Sequence, residues 1–176
     1  MNKSAIHPMP AYFDRYINQV PDELEIVPAI QKSILDIYQL DKEKIDSLGD
    51  QVYAPGKWTI RQILLHIADS ERVFIYRALR FARKDRTPLQ SFDENLFADH
   101  SNAGERSLES LLDELVAVRQ SSLAFYKNLN DEQLLAIGHT YNTEMSVLAM
   151  GFTIVGHQAH HFKIIEDLYF PLLNAQ

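Results

Sequence analysis

The chain has 176 residues, 46% of them apolar and 23% charged, which suits one domain with a substantial core. Its net charge of −7 argues against a nucleic-acid partner, and it has no cysteine, which excludes disulfides, Cys-ligated zinc and a protein thiol nucleophile. Met1–Pro10 carries no signal-like apolar run, and no stretch reaches the roughly 18 apolar residues of a membrane span, so a cytoplasmic protein without membrane association is expected.

Residues 1–21 hold Pro8, Pro10 and Pro21 and read as an extended arm, with Tyr12, Phe13, Tyr16 and Ile17 packing on the body; residues 22–176 read as one domain. Helix one is expected from about Val27 to Leu40, with Pro28 in its first turn and Ile30, Ile34, Ile37 and Tyr38 as its apolar stripe. Asp41 caps a short second piece that Gly49 stops. Thr59 and Gln62 form a capping-box signature that opens helix two, which runs to about Lys84 with Ile60, Ile63, Ile67, Phe74, Ala78 and Phe81 at helical spacing. Trp58, just before the cap, reads as a staple fixing the entry into that helix. The cations from Arg77 to Arg86 crowd its C-terminal end, where they complement the helix dipole. Arg61 and Arg77 are also candidates for binding an anionic substrate, although such charges are usually solvated or paired.

A long connection from Asp85 to about Arg106 follows, either functional or a crossing from one end of a bundle to the other. Ser107 caps helix three, with Leu108, Leu111, Leu112, Leu115, Val118, Leu123 and Tyr126 facing the core. A short piece from Glu132 to Ile137 comes next. Helix four starts at Thr143 or Ser146 and ends before Pro171. The layout repeats loosely: Leu40-Asp41 matches Leu129-Asn130-Asp131, and Tyr53 and Tyr141 each precede a long helix. No β-type alternation is long enough to argue for a sheet, so the fold class is all-α, a four-helix bundle.

Helix four carries Gly156-His157-Gln158-Ala159-His160-His161 in an apolar context. His157 and His161, four residues apart, share a face with Val147, Met150, Ile154, Ile164, Ile165 and Leu168. A buried imidazole without a partner costs on the order of 1–3 kcal/mol, and a divalent ion supplies a partner to both. The plainer alternative is a pair of core histidines bonded to carbonyls. His66, on the edge of the helix-two stripe, is the leading third ligand, and a three-His site leaves positions open for water or substrate. Zinc, nickel, copper and iron(II) all suit imidazole. Asp69 or Glu71 could accept a hydrogen bond behind a ligand, take a proton, or serve as a further ligand. His160 sits on the edge of the same face as a ligand, a substrate contact or a surface residue. His7, His100 and His139 fall in expected loops. Gly156 allows a neighbouring helix or a ligand to approach closely.

The blocks Tyr53-Ala54-Pro55-Gly56-Lys57-Trp58-Thr59-Ile60 and Leu65-His66-Ile67-Ala68-Asp69-Ser70-Glu71 resemble the helix-two signature of the DinB/YfiT-like superfamily. Phe92-Asp93-Glu94-Asn95 and the terminal histidine block resemble its later elements, in order and spacing. The resemblance implies a four-helix bundle with an unusual connection order and a metal site at His66, His157 and His161, holding nickel or zinc, often in a homodimer. It also implies a metal-dependent S-transferase that uses a low-molecular-weight thiol on a small electrophilic substrate. A metal-dependent hydrolase, or a non-enzymatic stress-response metal-binding protein, are the alternatives.

Overall fold

The computed structural model describes residues 1–140 and 143–174. Four long helices make the bundle: α2 (Ile26–Tyr38), α4 (Ile60–Ala82), α6 (Leu108–Tyr126) and α8 (Val147–Ile164). Helix α4 packs on α6 and α8, and α2 packs on the same two. Of the consecutive long helices, α2 and α4 therefore sit across one diagonal of the bundle and α6 and α8 across the other, whereas α4 and α6 are neighbours. Shorter elements fill the links between them: α3 (Lys42–Leu48), α5 (Glu94–Asp99), α7 (Asp131–Leu134) and a hairpin of β1 (Ile137–Thr140) and β2 (Thr143–Ser146). No helix is long and apolar enough to cross a membrane among the described residues.

Local chemistry sets the helix starts. Thr59 and Gln62 form the expected capping box on α4, and Asp41, Ser107 and Ser146 each accept a backbone N–H at the start of α3, α6 and α8. Gly49, at φ 54°, ends α3 in a conformation that only glycine adopts freely. The buried stripe of α2 is Ile26, Ala29, Ile30, Ser33 and Ile37, whereas Tyr38 is exposed.

Helix α8 is the centre of the molecule: every residue from Val147 to Gln158 is buried. A helix that is apolar all round must be covered on every side. Helices α2 and α4 cover two sides, and a third wall comes from the N-terminal segment, whose helical turn α1 (Asp14–Ile17) packs along α8. This segment was expected to be extended. It instead folds into short helical turns at Lys3–Ala5 and Asp14–Ile17, and it buries Ile6, Tyr16, Ile17 and Val20 in the core, while Tyr12 is left exposed.

Three further expectations need correction. The hairpin was not expected: its two four-residue strands pair Ile137 with Ser146 through Thr140 with Thr143, too short for alternation to show. His139 therefore lies on a strand, exposed and facing Glu144 at 3.3 Å, not in a loop. Helix four does not hold one register to Pro171, because it widens into a π turn at Ile165–Tyr169. The extra residue of such a turn rotates the later side chains, so Tyr169 is buried and Leu168 points outward. Finally, the 85–106 connection is not plain loop: it holds α5, capped by Asp93, and a 3-10 turn at Ala103–Glu105. Tyr141, the counterpart of Tyr53 in the loose repeat, lies outside the described residues.

Candidate metal centre

His66 comes from α4, and His157 and His161 from successive turns of α8, the helix packed against it. Their rings turn toward one another. The Nε2 of His157 lies 3.1 Å from the Nε2 of His66 and 3.1 Å from that of His161. One ligand atom from each of the three residues falls within 4.8 Å of the others. All three side chains are at least 91% buried, at 8%, 5% and 9% exposure.

Burial makes these imidazoles neutral. It pushes the His66 pKa down to about 4. It pushes that of His161 down to about 3, helped by His66 and His160, and that of His157 well below its usual value. Neutral imidazoles that present ring nitrogens to one another have at most one proton to share across each contact, and each lone pair left over faces another. A cation answers that arrangement. Four-coordinate zinc with metal–nitrogen distances of about 2.0–2.1 Å sets its ligand nitrogens roughly 3.3 Å apart, close to the spacing seen. The three residues therefore fit a divalent ion. The hydroxyl of Ser70 lies 3.4 Å from Nδ1 of His66, on the side away from the cluster, where it can accept the Nδ1 proton when Nε2 serves as the ligand. Nδ1 of His161 is buried and has no hydrogen-bond partner among the described residues.

A cavity of about 160 Å³ opens beside the cluster. Its walls are mostly aromatic: Tyr12, Phe13 and Tyr16 from the N-terminal segment, Trp58, Phe74, and Phe92 from the long connection. Tyr16 meets the edge of His157 at 5.2 Å and Trp58 tilts over His66 at 4.6 Å, so both rings shield the imidazoles from water. The hydroxyl of Tyr169 donates to the carbonyl of Trp58 and ties that loop to the end of α8. Two charged residues also line the cavity, Arg77 and Glu94.

The two carboxylates expected beside His66 do not line it. Glu71 sits five residues along α4, on another face, and makes a buried ion pair with Arg119, whose Nε lies 2.9 Å from both carboxylate oxygens. Asp69 lines a different groove with Phe97, Arg106 and Glu114, and accepts a hydrogen bond from Arg72 at 3.1 Å. The carboxylate that does face the cavity, Glu94, belongs to the Phe92-Asp93-Glu94-Asn95 block, so the 85–106 connection contributes to the cavity wall. Nothing in sequence spacing ties that block to His66. Trp58 acts as more than a staple, because its ring forms part of the cavity. His160 stays outside the cluster: its Nδ1 lies 3.3 Å from Nε2 of Gln19 and its ring meets Tyr16. Arg61 faces Asp46 and Asp50 at 3.8 and 3.7 Å on the surface, so of the two arginines considered for substrate only Arg77 reaches the cavity.

Gly156 has a clear role in this assembly. An ideal Cβ on it would lie 1.9 Å from the carbonyl oxygen of Tyr16. The missing side chain lets the N-terminal segment run against α8 one residue before His157, which places Tyr16 over the imidazole.

Bundle and histidine group together define a metal-binding four-helix protein. The model of the DinB superfamily matches residues 13–165, and the chain belongs to that superfamily. It is 29% identical over 130 residues to a protein of Oceanobacillus iheyensis named "Putative metal-dependent hydrolase OB0413", covering 70% of this chain and 74% of that one. It is 28% identical over 149 residues to Bacillus subtilis YfiT, which carries the same kind of name, covering 82% and 79% of the two chains. The solved structure of YfiT, described as a four-helix bundle of unusual topology, superposes with a TM-score of 0.68 at 19% identity, over 91% of this chain and 87% of that one.

Proposed function

We propose that this protein is a metal-dependent enzyme in which His66, His157 and His161 hold a divalent ion, nickel or zinc, and which joins a low-molecular-weight thiol to a small electrophilic substrate. The observation that carries this reading is the convergence of three neutral Nε2 atoms beside an aromatic-walled cavity, with no carboxylate in the group among the described residues. An ion with three protein ligands keeps a position open and favours the thiolate form of a thiol bound there.

The chain's own residues account for the rest. Burial holds the three imidazoles unprotonated, ready to serve as ligands. Ser70 fixes the ring of His66. Tyr16, Trp58 and Phe74 keep water from the cluster and offer ring edges and faces against which sulfur packs well. Glu94, exposed at the rim, is placed to take up a proton. The chain has no cysteine, so the thiol arrives with the cofactor. A cavity beside the cluster also favours an enzyme over a purely structural metal carrier.

Hydrolysis is the second reading. The names of the relatives favour it, and Glu94 is a suitable general base for water in the same cavity. Two assays of the zinc- or nickel-loaded protein separate the readings. One follows a chromogenic aryl halide with a panel of small thiols, and the other follows a nitrophenyl ester without thiol. Thiol-dependent turnover that His157→Ala abolishes supports the transferase. Ester hydrolysis that needs no thiol favours the second reading, and inactivity in both assays sinks the two together.

A further inference from the structure

Arg77 is 6% exposed, yet no carboxylate lies within 4.0 Å of it among the described residues. The other buried or half-buried arginines all have one: Arg119 has Glu71, Arg61 has Asp46 and Asp50, Arg80 has Asp85, and Arg106 has Glu114. Of the five N–H donors of Arg77, one contact is made, from Nη2 to the carbonyl of Gln90 at 3.0 Å. None of its nitrogens is among the side-chain atoms sealed from solvent without a partner, so the free donors keep access to solvent, and Arg77 lines the cavity.

A buried cation without a counter-ion is costly, and burial already depresses the pKa of Arg77. Glu94 lines the same cavity but is not within ion-pair distance. The helix places Arg77 at the far end of the same space from the histidines. His66, Ser70, Phe74 and Arg77 follow one face of α4, and eleven residues of helix span about 16 Å. The long side chain leans back toward the N-terminus and so toward His66. The ring of Phe92, its centroid 5.8 Å from the guanidinium carbon, lies over the charge.

We infer that Arg77 anchors a carboxylate on the small molecule that occupies this cavity, so that the substrate or thiol cofactor is a carboxylic acid whose uncharged end points to the histidine group. This rests on the reading of the cavity as the reaction site. A guanidinium in a shielded pocket pairs with a carboxylate through two parallel hydrogen bonds and supplies the counter-charge it lacks.

Trp58, the only tryptophan of the chain, lines the cavity and reports its occupancy by fluorescence. The test is titration of the zinc-loaded full chain with phenylacetate and, separately, with its neutral analogue phenylacetamide. Phenylacetate is expected to bind about tenfold more tightly or better. In Arg77→Gln that preference collapses to about twofold or less, while phenylacetamide binding is unchanged; Arg77→Met, which keeps the stem's packing, gives the same result if the glutamine variant fails to fold. Equal binding of the two probes, failure of both to bind, or a preference that survives in the folded variants would overturn the inference. The zinc-free chain is expected to keep the preference, because Arg77 is not one of the three ligands. Loss of metal binding would thus sink the proposed function and leave this inference standing.

Discussion

The carbonyl oxygen of Tyr16 occupies the place that a Cβ on Gly156 would need, 1.9 Å from its ideal position. Backbone meets backbone there, and neither side yields as a flexible side chain does. At an ordinary mid-helix site glycine to alanine stabilises by roughly 1 kcal/mol. Gly156→Ala is expected to do the opposite and destabilise by about 1–3 kcal/mol, the usual cost of overpacking. Urea denaturation measures the sign. Limited proteolysis should show faster cleavage within residues 1–21, because the N-terminal segment must move off α8.

Glu71 and Arg119 form the buried ion pair between α4 and α6, at 2% and 0% side-chain exposure. Arg119 also donates to Ser33 on α2, and Gln158 of α8 donates to the carbonyl of Ser33 at 2.8 Å, so the network ties all four long helices together. Glu71→Gln leaves a buried cation uncompensated and is expected to cost about 3–5 kcal/mol in denaturant unfolding. The double variant Glu71→Leu/Arg119→Met should cost clearly less than the two single changes added together. If Glu71→Gln were as stable as the parent, the pair would have no structural role.

Neither Asp69 nor Glu94 is tied into the core, so substitutions there separate chemistry from folding. Asp69→Asn is expected to leave both stability and turnover within about twofold of the parent, since Asp69 faces Arg72 in a different groove. Glu94→Gln should lower turnover by about 10²-fold or more while leaving metal content intact, as removal of a proton acceptor does. Parallel steady-state kinetics and metal analysis of the two variants make the comparison.

The histidine group was legible because its spacing is local. Two imidazoles four residues apart on an apolar helix must share a buried face, and a third on the stripe of a long helix has one bundle interior to point into. Thr59, Asp41, Ser107 and Gly49 were legible for the same reason, because caps are decided within a few residues. Glu71 misled because closeness in sequence is not closeness in space: five residues along a helix turn the side chain to another face, and there it meets Arg119. Glu94, Phe92 and Tyr16 reach the cavity from segments far from the histidines in sequence, and only the closing of the chain brings them there. The hairpin escaped because its four-residue strands owe their pairing to the elements around them.

Acid should destabilise the metal-free protein through the histidines. The folded pKa values, about 4 for His66 and about 3 for His161, lie below the unfolded value near 6.5. The unfolded chain therefore binds protons first as pH falls, and stability is fully present above about 6.5 and lost progressively toward pH 3. Replacing His66 and His161 with phenylalanine in the metal-free chain should flatten this part of the profile, as read by thermal unfolding between pH 7 and pH 4. An equal slope in parent and variant would show that other groups set it.

The chemistry proposed for the cavity depends on the three imidazoles holding a metal ion. Elemental analysis of protein purified without an affinity tag tests it most directly, beside a folded His157→Ala/His161→Ala variant. Close to one divalent ion per chain is expected in the parent and essentially none in the variant. No metal in the parent, even after incubation with zinc and nickel, or equal metal in both proteins, would contradict it.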